Sequence, residues 1–309
     1  MIKIACTFMF FASAAMAQNI VSGGEYRGQS FVNLNFDGVS ASGASFTGAD
    51  LSGVSFRGAD LREVQFRGAD LSNTDFTGAN LGNADMTFGD LRGAILKDVF
   101  AAKIKLISAK LNDANLIGAF LGGSDLTRAN LTNADLTNAL LQNSNLAQAN
   151  LKNANLTNAI LGTHYPGSSA PLPAQMQSAK LTGAILVDAE MIGVNLSGAN
   201  LTDANLSGSN LAMSNLNWIN ANNSNFEGAD LSGATAKGGN FQNAEMGRAN
   251  MALLRAAGAN FSNANLAHAN LESADLSLSN LTNTNLSDIL NDGLRLDGAI
   301  GSTATVSGY

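Results

Sequence analysis

Ala129-Asn130-Leu131-Thr132-Asn133-Ala134-Asp135-Leu136-Thr137-Asn138-Ala139-Leu140-Leu141 carries the pattern that decides the fold. Leucine stands at every fifth place, and the run goes on through Leu146, Leu151, Leu156 and Leu161. Two places before most of these is a small residue: Ala129, Ala134, Ala139, Ala149, Ala154, Ala159. The same period, with Phe or Met at some of its positions, extends outward from Phe36 to Leu286.

A period of five fits neither standard element. On an α-helix five residues turn through about 140°, so successive leucines walk around the whole circumference. On a flat strand an odd period sends every second leucine to solvent. All of them can be buried together only if the chain bends between units. Four bends of about 90° close a coil of about twenty residues, and coils stack at the ~4.8 Å spacing of hydrogen-bonded strands. The large apolar residue and the alanine two places earlier then point inward. The other three positions face out, which suits Asn, Asp, Ser, Thr and Gly.

This pattern resembles the pentapeptide-repeat family, whose motif is roughly A-(D/N)-L-x-x. Ala49-Asp50-Leu51-Ser52-Gly53 and Ala199-Asn200-Leu201-Thr202-Asp203 are clear instances. The resemblance covers about 250 residues of the 309. It implies an all-β fold, a right-handed quadrilateral parallel β-helix of about twelve coils with terminal caps and one projecting loop. Phe36, Phe46, Phe56, Phe66 and Phe76 lie two sides of the square apart. They are expected to form two ring stacks on opposite walls, worth ~0.5–1.5 kcal/mol per pair beyond burial.

Residues 1–17 read as a secretory signal peptide: Lys3, an apolar run from Ile4 to Ala15, then Ala15-Met16-Ala17, with cleavage expected between Ala17 and Gln18. An exported protein, periplasmic or secreted, with no membrane insertion after signal removal is the expectation. Cys6, the single cysteine, falls within the signal, so disulfide and thiol chemistry are not expected. Residues 18–30, polar and Gly-rich, are expected to cap the first coil. Residues 31–161 form the first part of the β-helix, 162–178 a projecting loop, 179–286 the second part, and 287–309 a C-terminal cap and tail. Ser287-Asp288-Ile289-Leu290-Asn291-Asp292-Gly293 reads as a short helical turn covering the last coil. Such a cap, or the apolar stripe described below, is a candidate homodimer contact.

Net charge is −7, and the acid excess argues against nucleic-acid binding, which wants a basic stripe. No Walker loop, dinucleotide fingerprint or nucleophile-elbow serine occurs. His164 and His268 have no evident acid partner in phase. Asp50, Asp70 and Asp90 lie one coil apart, yet the six to eight converging oxygens of a calcium site are not in evidence. Neither catalytic residues, nor a metal, nor a cofactor is expected. Trp218 reads as an outward-facing aromatic.

Two irregularities point to function. The segment 162–178 holds all three prolines, Pro166, Pro171 and Pro173, and reads as a surface loop. Whether it replaces a coil or is spliced into one corner stays open in the sequence. The outward position before the central residue, normally Asp or Asn, is apolar at Phe100, Phe120, Leu140 and Ile160. These predict an exposed stripe down one wall, with Lys180 and Asn200 following on it. Either Tyr165, Leu172 or Met176 folds back over the stripe, or the stripe docks a protein partner. The leading functional reading is an exported, non-enzymatic scaffold that works through its outer faces. The alternative is a DNA mimic that inhibits or protects DNA gyrase, as the resemblance suggests for some members, although a signal peptide opposes that reading. A carbohydrate-active β-helix is the third, and scattered acids oppose it.

Overall fold

The computed structural model describes residues 20–162 and 172–301. The signal peptide 1–17, the Ala17–Gln18 cleavage point, His164 and Tyr165 lie outside the described residues. Two compact units are present, Met1–Asp135 and Leu136–Tyr309.

In the first unit the backbone repeats one five-residue figure, a tight turn followed by a single parallel bridge. Every bridge joins residues twenty apart, from Glu25↔Ser45 to Asn115↔Asp135, so each coil has four turns. The bonding around Leu61 shows how the chain satisfies itself. Leu61 N–H donates to the Asn80 carbonyl at 2.8 Å, and Asp60 N–H to Val39 O at 2.8 Å in the coil before. Glu63 N–H reaches Gly82 O at 2.9 Å, and Val64 N–H closes the turn on Leu61 O at 3.3 Å.

One N–H per unit is left over, that of the residue after the central leucine, and the outward Asp or Asn accepts it. Asp50 Oδ1 takes the Ser52 N–H at 3.1 Å and the Ser52 hydroxyl at 2.8 Å. In the second unit Asn200 Oδ1 does the same for Thr202, at 3.1 and 2.7 Å. This is a local side-chain turn of the kind Asn and Asp favour. It gives the motif's Asp/Asn and its Ser/Thr a backbone reason, beyond mere exposure to water. The next residue holds a left-handed backbone, as in Asn73 at φ 56°, which explains Asn, Asp and Gly at that corner.

The core of this unit is a column of buried Leu, Phe and Ala. The two expected ring stacks are present. Phe36, Phe56 and Phe76 stack at 5.4 and 5.5 Å, and Phe46 on Phe66 at 5.3 Å. The stacks touch each other edge to face, for instance Phe66 and Phe76 at 6.0 Å. Tyr26 extends one stack by lying on Phe46 at 5.0 Å. That contact corrects the expected cap over 18–30: its described part is already coil, bridged at Glu25 and Ser30.

The second unit follows the same figure. Phe241 stacks on Phe261 at 5.0 Å and meets Phe226 edge to face at 5.9 Å. At two places volume is made up locally. Where Ala221 and Ala256 occupy the central position, Ile219 and Leu254 fill the place two residues earlier, and all four are buried. The C-terminal cap is also corrected. Residues 287–300 continue the coil with no helical turn, through the bridges Asn270↔Leu290, Asp275↔Arg295 and Asn280↔Ile300.

One coil of this unit is longer. The strands β1 (Ile160–Gly162) and β2 (Glu190–Met191) pair in parallel, Ile160 opposite Glu190. Asn145, Asn150 and Asn155 likewise bridge Gln175, Lys180 and Ile185, thirty residues on, before the spacing of twenty returns at Gln175↔Asn195. Ala174 N–H donates to Leu161 O at 2.8 Å, the bond that normally closes a turn three residues later. The extra residues are therefore spliced into one corner, and no coil is replaced. The expected loop 162–178 is too long at its far end, since Ala174 and Met176 are fully buried core residues.

Candidate functional site: exposed faces and the inserted corner

In the first unit Phe100 and Phe120 bridge one another across adjacent coils. Their rings stack at 4.9 Å with 2° between planes, and Phe100 is 50% exposed. The outward position carries them because strand pairing fixes only their backbone; nothing in the core requires an apolar side chain there. In the second unit Leu140 bridges Ile160, both half-buried. The residue that follows Ile160 on its wall is Glu190, not Lys180, which instead follows Asn150. The added corner residues cause this shift, because Leu161 and Leu181 sit on different walls despite their spacing of twenty. Leu172 is 66% exposed, and Met176 is in the core, so Met176 cannot cover the stripe.

Sequence reasoning missed a second set of exposed apolar side chains. Phe88, Met213, Leu253 and Leu278 all occupy left-handed corner positions and are about half exposed or more. A large apolar residue two places after the central one was the available signal. Trp218 belongs with them, at 66% exposure.

The carboxylates are largely engaged by neighbouring groups. Asp90 accepts from Arg92 Nε at 2.7 Å and Lys110 Nζ at 3.2 Å. Burial pushes its pKa up, but these hydrogen bonds outweigh it and hold the carboxyl below its usual range. Asp75 behaves alike: burial raises it, while Thr77 and Arg57 pull it lower overall. Asp50 and Asp70 each accept from a serine of their own unit. Among the described residues no group of three or more His, Cys, Asp or Glu is placed to hold a metal ion. His268 does have an acid neighbour in phase, contrary to expectation: Nδ1 lies 3.8 Å from Asp288 Oδ2, one coil on. Among the described residues no helix is long and apolar enough to cross a membrane.

The inserted corner frames a cleft of about 540 Å³ within the second unit. Asn143, Asn145 and Gln148 line it from one coil, Gln175 and Gln177 from the next, and Leu172 and Pro173 from the insertion. Among the described residues none that lines it is charged.

The chain belongs to the pentapeptide-repeat family. The family description "Pentapeptide repeats" matches it in eight copies over residues 27–58, 59–98, 105–143, 134–162, 174–211, 214–251 and 257–289. No curated protein sequence matches it. Among solved structures it is similar to HetL, a pentapeptide repeat protein involved in heterocyst differentiation regulation from the cyanobacterium Nostoc sp. strain PCC 7120. Identity there is 25%, covering 89% of this chain and 90% of that one, with a TM-score of 0.37. It is also similar to a trypsin-treated variant of QnrB1, a plasmid-mediated fluoroquinolone resistance protein, at 17% identity over 58% of this chain and 89% of that one, TM-score 0.39. A pentapeptide repeat protein of the Arabidopsis thaliana thylakoid lumen matches at 26% identity over 38% of this chain and 67% of that one, TM-score 0.17.

Proposed function

We propose that the protein is an exported, non-enzymatic scaffold, its coils right-handed and four-sided, acting through protein–protein contacts on its outer faces. Residues 1–17 direct export, with cleavage between Ala17 and Gln18, and the periplasm or the extracellular space is the working compartment. The observation that carries the contact reading is the Phe100–Phe120 pair. Two aromatic rings stacked at 4.9 Å on an outward wall, one of them half exposed, add nothing to the buried column. Exposed apolar clusters rimmed by polar residues mark interaction sites, and aromatic residues are enriched where partners bind. The occupant is a protein partner or a second copy of this chain.

The test compares the native protein with Phe100→Ser/Phe120→Ser. Tagged protein is fractionated, its N-terminus sequenced, and its partners captured from the exported fraction. The expected result is a mature N-terminus at Gln18 and a bound protein, or a dimer, that the double variant loses while its circular dichroism is unchanged. Retention in the cytoplasm with residues 1–17 intact would overturn the export reading and favour the gyrase-directed one. Equal capture by both proteins would overturn the role of the aromatic pair.

A further inference from the structure

We propose that the cleft at the inserted corner is a binding site for a neutral carbohydrate. Such a site needs neither export nor the aromatic pair, so it stands or falls separately from the function proposed above.

The described flanks of the insertion are tied down by backbone hydrogen bonds. Asn143 N–H donates to the Leu172 carbonyl at 2.6 Å, and Ala174 N–H to Leu161 O at 2.8 Å. From that anchor a relay of amides runs along the wall. Gln175 Nε2 donates to the Pro173 carbonyl at 3.2 Å. Gln175 Oε1 then accepts from Gln177 Nε2 at 2.8 Å and from Asn195 Nδ2 at 3.4 Å.

The relay fixes which way each amide points. A proline carbonyl can only accept, so Gln175 must turn its NH₂ toward it and its oxygen toward Gln177. Gln177 must therefore offer its own NH₂ to Gln175, and its oxygen is turned away. That oxygen, Gln177 Oε1, is buried and has no donor among the described residues. Flipping the amide to rescue it would set two oxygens face to face, so a flip does not repair the arrangement. A buried acceptor without a donor is destabilising; Asn222 Oδ1 is another among the described residues, but only Gln177 belongs to the lining of the cleft. A ligand hydroxyl donating to it would remove the deficit, with a small adjustment of the side chain to open access.

Ligand class follows from the rest of the lining. Among the described residues no charged side chain lines the cleft, so a phosphate, carboxylate or ammonium would lose hydration there without an ionic partner from them. Asn143, Asn145 and Gln148 add amides, which both donate and accept, and vicinal hydroxyls of a sugar need both. Leu172 and Pro173 supply an apolar edge for the C–H face of a ring. The volume of about 540 Å³ lies within the ~300–1,000 Å³ typical of small-molecule sites.

The test uses the full chain labelled with ¹⁵N and titrated with maltose and with chitobiose. Side-chain amide resonances of Gln175 and Gln177 are expected to shift and saturate with one of these probes. Gln177→Met, which keeps the length and removes the acceptor, should weaken that binding about five- to tenfold. Leu172→Ser, on an exposed position with little bearing on folding, should weaken it as well. Absence of any shift at Gln175 and Gln177 with both sugars would overturn the proposal. So would equal titration of Gln177→Met with its fold intact, or shifts confined to the Trp218 indole.

Discussion

The ring of Trp218 lies across the backbone of Gly238, its neighbour one coil on, so closely that a β-carbon there would overlap the indole. Gly238 has φ +64°. Gly258, next on the same corner, has φ +71° and nothing within 4 Å of its β-position. Gly258→Ala should therefore cost only the left-handed strain, about 1 kcal/mol. Gly238→Ala should cost that and displace the ring, about 1 kcal/mol more. Trp218 is the chain's single tryptophan, so its emission reports the displacement directly. Equal denaturation midpoints and unchanged emission in the two variants would mean that the ring does not rest there.

A different glycine guards the inserted corner. A β-carbon at Gly162 would overlap the Ile192 carbonyl oxygen and press on Pro173 at 3.1 Å. Gly162→Ala should destabilise the second unit by about 1–3 kcal/mol. Hydrogen exchange should quicken at Ile192, whose N–H donates to Gly162 O at 3.2 Å, and at Ala174. Unaltered exchange at both amides would show that the two strands have room to spare.

Acid should weaken the first unit through its paired carboxylates. Asp75 and Asp90 both have folded pKa values below the ordinary 3.8. A depressed folded value means that the stabilisation is fully present above the unfolded pKa and disappears as pH falls through the folded one. The melting temperature should therefore hold from pH 7 to about pH 5 and drop below about pH 4. Asp75→Asn and Asp90→Asn should each cost at most about 1 kcal/mol at pH 7 and flatten the acid limb. An acid limb identical in both variants and the native chain would assign it to other groups.

The inner column was legible because one position in five carries the large apolar side chains, with a small residue two places earlier, and Leu131 to Leu161 state it without a gap. The outward Asp and Asn were legible as outward, but their hydrogen bond to the residue two places on, as in Asp50 and Ser52, depends on turn geometry that composition does not display. Val21, Tyr26 and Phe31 keep the five-residue phase, so the early start of the coil was readable; glycine-rich surroundings disguised it. At the other end Asn291 stands where a large apolar residue is normal, and it hid the continuation to Ile300. The inserted corner misled for a different reason. Any insertion that is a multiple of five leaves the leucines in phase, so the spacing of Leu161 and Leu181 cannot reveal that they occupy different walls. For the same reason the steps from Phe100 to Phe120 and from Leu140 to Ile160 read correctly, whereas Ile160 is followed by Glu190 and not by Lys180.

Because Ala174 takes up the bond that would close an ordinary turn, the backbone ladder resumes after the splice as if nothing had been added. A joint of this kind lets a lineage lengthen one bend, try new chemistry on it and discard it again, while every wall above and below keeps its partners. Novelty in such a chain is cheapest at its bends.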